Sequence, residues 1–279
     1  MGPRGARTPV LSISGKIAEL QESGFCVLEA HFSETLIEAC RKAFWPLLLD
    51  YLHRHAHQPN RGAHRHFVPM PFNPPCFAGE FFFDPAILAI TRATMDDRIV
   101  ADQWGCDVPL AGSAYQEMHV DYQRPLFVER PDLAMPPYMA VVSFGLVRIA
   151  AAHGPIEIAP GTHLMARAAA LESINAGEIP IQTIPLEIGD VLIRHPWAVH
   201  RGTPNTSDIP RALATIRYVR GWYADNSRDV NAIPLPLWRS FTPEERRLLR
   251  FPLEPFTPPI VTEDRASSTP LPHSSCDIF

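Results

Sequence analysis

The sequence predicts a mainly β protein with helices flanking the sheets. From about residue 99 onward, short apolar runs recur at 113–120, 138–147, 155–159, 181–184, 190–194 and 212–219, with glycine and proline between them. Short strands separated by turn signals build a β-sandwich, a jelly roll or a barrel. The 30 prolines point the same way, because a helical bundle has little room for residues that remove a backbone donor. Helical patterning is confined to a few segments, most of them ahead of residue 99. The length of 279 residues suits one domain, 1–279, with its β core at about 99–222.

Taken in order, residues 1–13 read as a flexible arm. Residues 14–23 carry Ile17, Ala18 and Leu20 and read as a short helix that Gly24 ends. Residues 25–28 are an apolar strand. Ser33 caps a second helix with Leu36, Ile37, Cys40, Ala43 and Phe44 on one face, and Pro46 is expected to kink or end it. Five of the twelve histidines fall in 53–66, a stretch whose spacings match no ligand pattern and which reads as a solvated loop near the mouth of a site. Residues 67–83 are broken by proline and rich in phenylalanine; they read as a packed irregular segment able to wall an apolar pocket. Helices are expected at 85–95, at 166–176 as an insert between strands, and at 243–250, where Thr242, Pro243 and Glu245 form a capping-box start. The tail, 253–279, is rich in proline and serine and reads as extended or disordered.

Composition narrows the function classes. A net charge of −5 supplies no basic footprint for nucleic acid. No apolar run approaches the roughly 18 residues of a membrane span. Five scattered cysteines without a CxxC fit a reducing, cytoplasmic setting better than a disulfide framework. The first residues have no apolar core of a secretory signal. The partner left is a small molecule, met by a monomer or a homodimer.

The chemistry concentrates at Gln116-Glu117-Met118-His119-Val120-Asp121. On a strand, side chains two apart share a face, so His119 and Asp121 would converge on one point. Two imidazoles and one carboxylate on one face make the triad that holds non-haem Fe(II). The missing imidazole should return from a distant strand. His200 and His195 both follow the strand run Val191-Leu192-Ile193, and spacing alone leaves the choice open. Arg211 then heads the apolar run 212–219. A guanidinium at the head of a core strand needs an anion, and its planar fork suits a carboxylate. No acidic residue is assigned to it by sequence, and a bound dicarboxylate would serve.

These residues, with Gly154-Pro155-Ile156-Glu157-Ile158-Ala159-Pro160-Gly161-Thr162-His163, Gly189-Asp190 and the opening Leu20-Gln21-Glu22-Ser23-Gly24-Phe25, resemble the phytanoyl-CoA dioxygenase family of Fe(II)/2-oxoglutarate oxygenases over about residues 16–222. The resemblance implies a double-stranded β-helix (jelly roll, cupin-like) core. It implies His119, Asp121 and His200 as iron ligands, Arg211 on the distal carboxylate of 2-oxoglutarate, and Gln116 beside that cosubstrate. Many members carry a serine two residues after the distal histidine; here Gly202 stands there, and Thr203 is the nearest hydroxyl. The resemblance also implies O2 as oxidant and release of succinate and CO2. Because Asp121 retains the carboxylate that related halogenases lack, hydroxylation or desaturation of a small molecule, such as a secondary metabolite, is expected instead of halogenation. Arg124 and Arg130 in the loop after Asp121 could hold an anionic substrate. Trp222 and Tyr223 would line the pocket or pack the barrel end. His163 reads as a turn residue. Two rival readings stay open: a cupin-type metalloenzyme that needs no 2-oxoglutarate, and a jelly-roll binding protein without catalysis.

Overall fold

The computed structural model describes residues 12–121, 136–224 and 230–254. Most of the expected N-terminal arm, the loop with Arg124 and Arg130, and the tail beyond residue 254 lie outside the described residues.

Ser12 caps α1 (Ile13–Ser23), and Gly24, with φ of 83°, closes it in the left-handed conformation that glycine adopts freely. After β1 (Phe25–Leu28), Ser33 accepts from the Leu36 N–H and starts α2 (Glu34–Arg54). Pro46 does not end α2, contrary to the expectation of a break. It lies on the exposed side, where water can meet the freed backbone groups, while Phe44 and Leu48 keep the buried stripe continuous. β2 (Arg65–Pro69), α3 (Gly79–Phe83) and α4 (Pro85–Thr94) follow, then β3 (Ile99–Pro109) and β4 (Met139–Gly145). The remaining elements are β5 (Ile156–Ile158), α5 (Arg167–Asn175), β6 (Gln182–Ile184), β7 (Val191–Arg194), β8 (His200–Gly202), β9 (Leu213–Arg220), α6 (Leu235–Ser240) and α7 (Pro243–Leu248). No helix among the described residues is long and apolar enough to cross a membrane.

The strands form two antiparallel sheets, β1-β7-β4-β9-β3-β2 and β6-β5-β8. From β4 onward the chain passes back and forth between them: β5 and β6 in the small sheet, β7 in the large, β8 in the small, β9 in the large. That path is a double-stranded β-helix.

Strand alternation divides the large sheet's side chains between two surroundings. One face carries Trp104, Val142, Phe144, Ile193, Ile216 and Tyr218, which pack with Ile37 and Phe44 of α2, Phe81 and Phe82 of α3, and Ile87 of α4. The main core therefore lies between the large sheet and the helices, and 67–83 belongs to it, with Phe72 and Phe77 buried there. The opposite face, including Gln103, Val141, Ser143, Arg194, Thr215 and Arg217, turns toward the small sheet and walls a cavity of about 300 Å³. Phe67 is the one phenylalanine of 67–83 that reaches this cavity. Its ring lies over Gly105, where a Cβ would stand 2.3 Å from a ring carbon, so only glycine fits. At a bulge in β3, Asp102 is buried and accepts two parallel hydrogen bonds from the Arg217 guanidinium, Nε to Oδ1 at 2.7 Å and Nη2 to Oδ2 at 2.8 Å. Such a pair keeps two buried charges satisfied.

Candidate metal centre

Residues 113–120 are not a ladder strand. They meet β8 at one antiparallel bridge, where His119 and His200 exchange backbone hydrogen bonds of 3.0 and 2.9 Å. The Asp121 N–H donates to the Pro196 carbonyl at 3.0 Å, which holds the next turn of chain against the same segment. These three bonds bring two stretches far apart in sequence to one place. The His119 and His200 rings lie 4.5 Å apart, and ligand atoms of His119, Asp121 and His200 all fall within 4.8 Å of one another.

Both imidazoles are set by the same local device. Nδ1 of His119 donates to the Glu117 carbonyl at 2.7 Å, and Nδ1 of His200 donates to the Ala198 carbonyl at 2.8 Å. A carbonyl can only accept, so each ring carries a proton on Nδ1, which leaves Nε2 as the atom available to a metal. Asp121 offers Oδ1 3.4 Å from Nε2 of His200, while Oδ2 lies 2.6 Å from Nη1 of Arg194. Burial pushes the Asp121 carboxyl up, but the Arg194 charge and the His200 ring outweigh it and hold the group far below the usual carboxylate range. Burial, then the Arg194 charge, push His200 down, so its ring is neutral at neutral pH. An ionised carboxylate and a neutral imidazole are the states a metal ligand needs.

His195 is turned away. Its Nδ1 accepts from the Trp197 N–H at 3.2 Å, and its ring lies 5.2 Å from that of His163. His163 packs under Gly24, with Nε2 3.0 Å from the Gln21 carbonyl. Both belong to the seam between the α1–β1 corner and the small sheet.

Arg211 borders the same cavity with its side chain 3% exposed. Nη2 donates to Oδ2 of Asp107 at 2.7 Å, which corrects the expectation that no acidic residue of the chain serves it. Asp107 takes only that edge; Nε is buried and has no partner among the described residues. Gln116 lines the cavity, and its Oε1 accepts from the Gly202 N–H at 2.9 Å. Thr203 does not reach it, because its hydroxyl donates to the Pro155 carbonyl at 2.7 Å. Trp222 is also elsewhere: it is 53% exposed, meets the Tyr138 ring at a tilt and the Tyr223 ring edge-on, and borders a separate cleft beside α7. In the histidine-rich stretch, Arg61 reaches the cavity and covers the Phe67 ring at 5.0 Å; residues 56–64 are exposed.

The phytanoyl-CoA dioxygenase (PhyH) family model matches residues 20–213, well over half of the chain. The chain belongs to the PhyH family. Membership makes it an oxygenase-type enzyme that works with non-haem iron and 2-oxoglutarate, and the donor set fits: two imidazoles, one carboxylate and a cavity at their open side. Solved structures share the fold. AviO1 from Streptomyces viridochromogenes Tue57 is 19% identical, with a TM-score of 0.59 over 78% of this chain and 99% of that one. The non-haem α-ketoglutarate-dependent carbocyclase SnoK from nogalamycin biosynthesis is 19% identical, with a TM-score of 0.56 over 77% and 87%. The epimerase SnoN, solved with Fe3+, α-ketoglutarate and nogalamycin RO, is 16% identical, with a TM-score of 0.55 over 74% and 83%.

Arg194 was not foreseen, although the sequence carried its signal, a cation closing the apolar run that leads to the histidine. It orients Asp121 from behind. Removing such an outer partner weakens metal affinity about ten- to a hundredfold. Arg194→Gln is expected to lower Fe(II) affinity by that factor in a metal titration, with 2-oxoglutarate affinity of the metal-saturated protein little changed.

Proposed function

We propose that His119, Asp121 and His200 hold one Fe(II), and that the protein uses 2-oxoglutarate and O2 to hydroxylate or desaturate a small molecule. The observation that carries this is one cavity with a complete, tautomer-fixed triad on one wall and a buried, half-satisfied arginine on another. Bound iron, with 2-oxoglutarate and O2, supplies oxidation of a C–H bond, the cosubstrate leaving as succinate and CO2.

The chain's own residues do the rest. Nδ1–H bonds to Glu117 and Ala198 lock both rings so that neither must reorient when metal enters. Arg194 keeps one carboxylate oxygen of Asp121 occupied and the other free for metal. Arg211, through its unpaired Nε, holds the distal carboxylate of 2-oxoglutarate and fixes which end faces the triad. Val141, Leu192 and Leu213 keep that wall apolar and exclude water. Arg124 and Arg130, which lie outside the described residues, would meet an anionic part of the substrate. The likeness to SnoK and SnoN favours a secondary metabolite as substrate. The free, buried thiols of Cys26, Cys40, Cys76 and Cys106 suit a reducing, cytoplasmic setting.

Aerobic incubation with Fe(II), 2-oxoglutarate and a metabolite panel, read as succinate formed, tests the reading. Succinate above the metal-free control is the expected result. Turnover of a panel compound that proceeds equally well without 2-oxoglutarate would instead favour a cupin-type reaction.

A further inference from the structure

A second cleft, of about 540 Å³, opens where α4, α7 and the ends of β3 and β9 meet. It shares no lining residue with the metal cavity. Four arginines border it: Arg92 in the last turn of α4, Arg98 just ahead of β3, Arg247 in α7 and Arg250 just after it. Ile99, Val100 and Leu248, all buried, supply its apolar lining. Trp222 stands at the rim, more than half exposed.

Backbone bonds fasten these pieces together. The Gly221 N–H donates to the Arg98 carbonyl at 2.9 Å, and the Arg250 N–H donates to the Ala101 carbonyl at 2.8 Å. The first ties the turn that carries Trp222 to the segment ahead of β3. The second ties the end of α7 to β3. The cleft is therefore built before any ligand arrives.

Its charges do not balance. Asp96 is spent within the fold: it pairs with Arg220, and its Oδ1 accepts from the Arg98 N–H at 2.7 Å. Asp97 and Glu244 are the other acidic residues of the lining. No ion pair among the described residues involves Arg92, Arg98, Arg247 or Arg250. Nε of Arg92 is buried and has no partner among the described residues. Four guanidinium groups thus face two carboxylates, an excess of two positive charges. A buried charged donor left unpaired is costly, so an anion that completes it is favoured.

Two features set the kind of anion. The planar fork of arginine matches the oxygens of a phosphate, and an exposed indole face stacks on a flat ring. The volume lies inside the range of about 300–1,000 Å³ usual for small-molecule sites. We propose that this cleft is a second ligand site that takes a nucleotide, its ring stacked on Trp222 and its phosphates held by Arg92, Arg98, Arg247 and Arg250. The site is separate from the triad, so it binds its ligand without iron or 2-oxoglutarate.

The test is isothermal titration calorimetry of the full chain with ADP, inorganic pyrophosphate and adenosine, with no divalent metal added, so that phosphate cannot bind through an ion at the triad. Wild-type protein is expected to bind ADP more tightly than pyrophosphate, and adenosine least. Arg247→Met should weaken ADP and pyrophosphate by at least about tenfold. Trp222→Ala should weaken ADP by about tenfold and leave pyrophosphate unchanged. Arg211→Met, a change in the other cavity, should leave ADP binding as it is. Wild-type protein that binds no ADP overturns the proposal, as does Arg247→Met with unaltered affinity. Loss of ADP binding in Arg211→Met would place the ligand in the metal cavity and overturn it too. Pyrophosphate bound as tightly as ADP, with Trp222→Ala silent, would leave a bare anion patch and no nucleotide site. If Arg247→Met does not fold, the exposed Arg98→Met takes its place with the same expected loss, and wild-type affinity there overturns the proposal.

Discussion

Asp121→Ala is expected to abolish metal-dependent consumption of 2-oxoglutarate. Losses at partners behind a ligand already cost about ten- to a hundredfold, and loss of the ligand itself should exceed about a hundredfold. Two effects add. A metal held there would lose the one anionic donor of the triad, and Arg194 is left beside the histidines without its counter-charge. That cation would then repel an incoming divalent ion. Asp121→Asn separates charge from shape, since it keeps the volume and loses the anion; it should fail nearly as badly. Backbone contacts of Asp121 are unaffected by either change, so circular dichroism should report a folded chain. Full consumption of 2-oxoglutarate by Asp121→Ala would remove this residue from the ligand set.

Arg211→Met is expected to raise the 2-oxoglutarate concentration needed for half-maximal turnover by about two to three powers of ten. Truncating one partner of a buried, hydrogen-bonded charge pair costs about 2–5 kcal/mol. Here the variant also leaves Asp107 facing the incoming carboxylate with no cation between them. Arg211→Met with Asp107→Asn should recover part of the loss by removing that repulsion. Turnover that is indifferent to Arg211→Met, with or without 2-oxoglutarate, would mark a cupin-type enzyme. Absence of any turnover by every protein, wild type included, would mark a binding protein.

Much of the fold could be read from local pattern. The Ser33 cap, the Gly24 stop and the Thr242–Glu245 capping box are encoded within a few residues, and α2 and α7 start, and α1 ends, where those signals stand; the Ser12 cap puts the start of α1 one residue inside the stretch expected to be an arm. Strands with continuous apolar runs, such as β4 and β7, were equally plain because one surface meets the helices and the other meets the small sheet. β2 and β8 were hidden. β2 holds Arg65, His66 and Pro69 and is a strand only through its pairing with β3; β8 is three residues long and opens with His200 of the candidate triad. Neither carries a period of its own, and long-range pairing defines both. Pro46 misled because its rule concerns the isolated helix, whereas the buried stripe of α2 extends past it.

In the site, the histidine–carboxylate pair was legible from its spacing of two, and Arg211 from the oddity of a cation heading a core strand. The polar partners were not. Asp102 sits at the bulge of β3, and no local period marks Asp107 on β3, or Arg194 at the end of the continuous apolar run of β7, as lying on a face that serves a site. Here that face looks into a cavity, and only the meeting of two sheets reveals it. Thr203 and Trp222 lie apart from the lining of the cavity, because nearness in sequence to a site residue says little about direction. The Thr203 hydroxyl is taken by the Pro155 carbonyl, and Trp222 lies past the end of β9 on the surface.

The most direct measurement is an anaerobic absorbance titration of the wild-type protein with Fe(II) and 2-oxoglutarate. Chelation of one iron by the cosubstrate should give a visible charge-transfer band that needs both components, saturates at one equivalent of iron, disappears in His200→Ala and persists in His195→Ala. A band that survives in His200→Ala but is lost in His195→Ala, or wild-type protein that gives no band, would contradict the account.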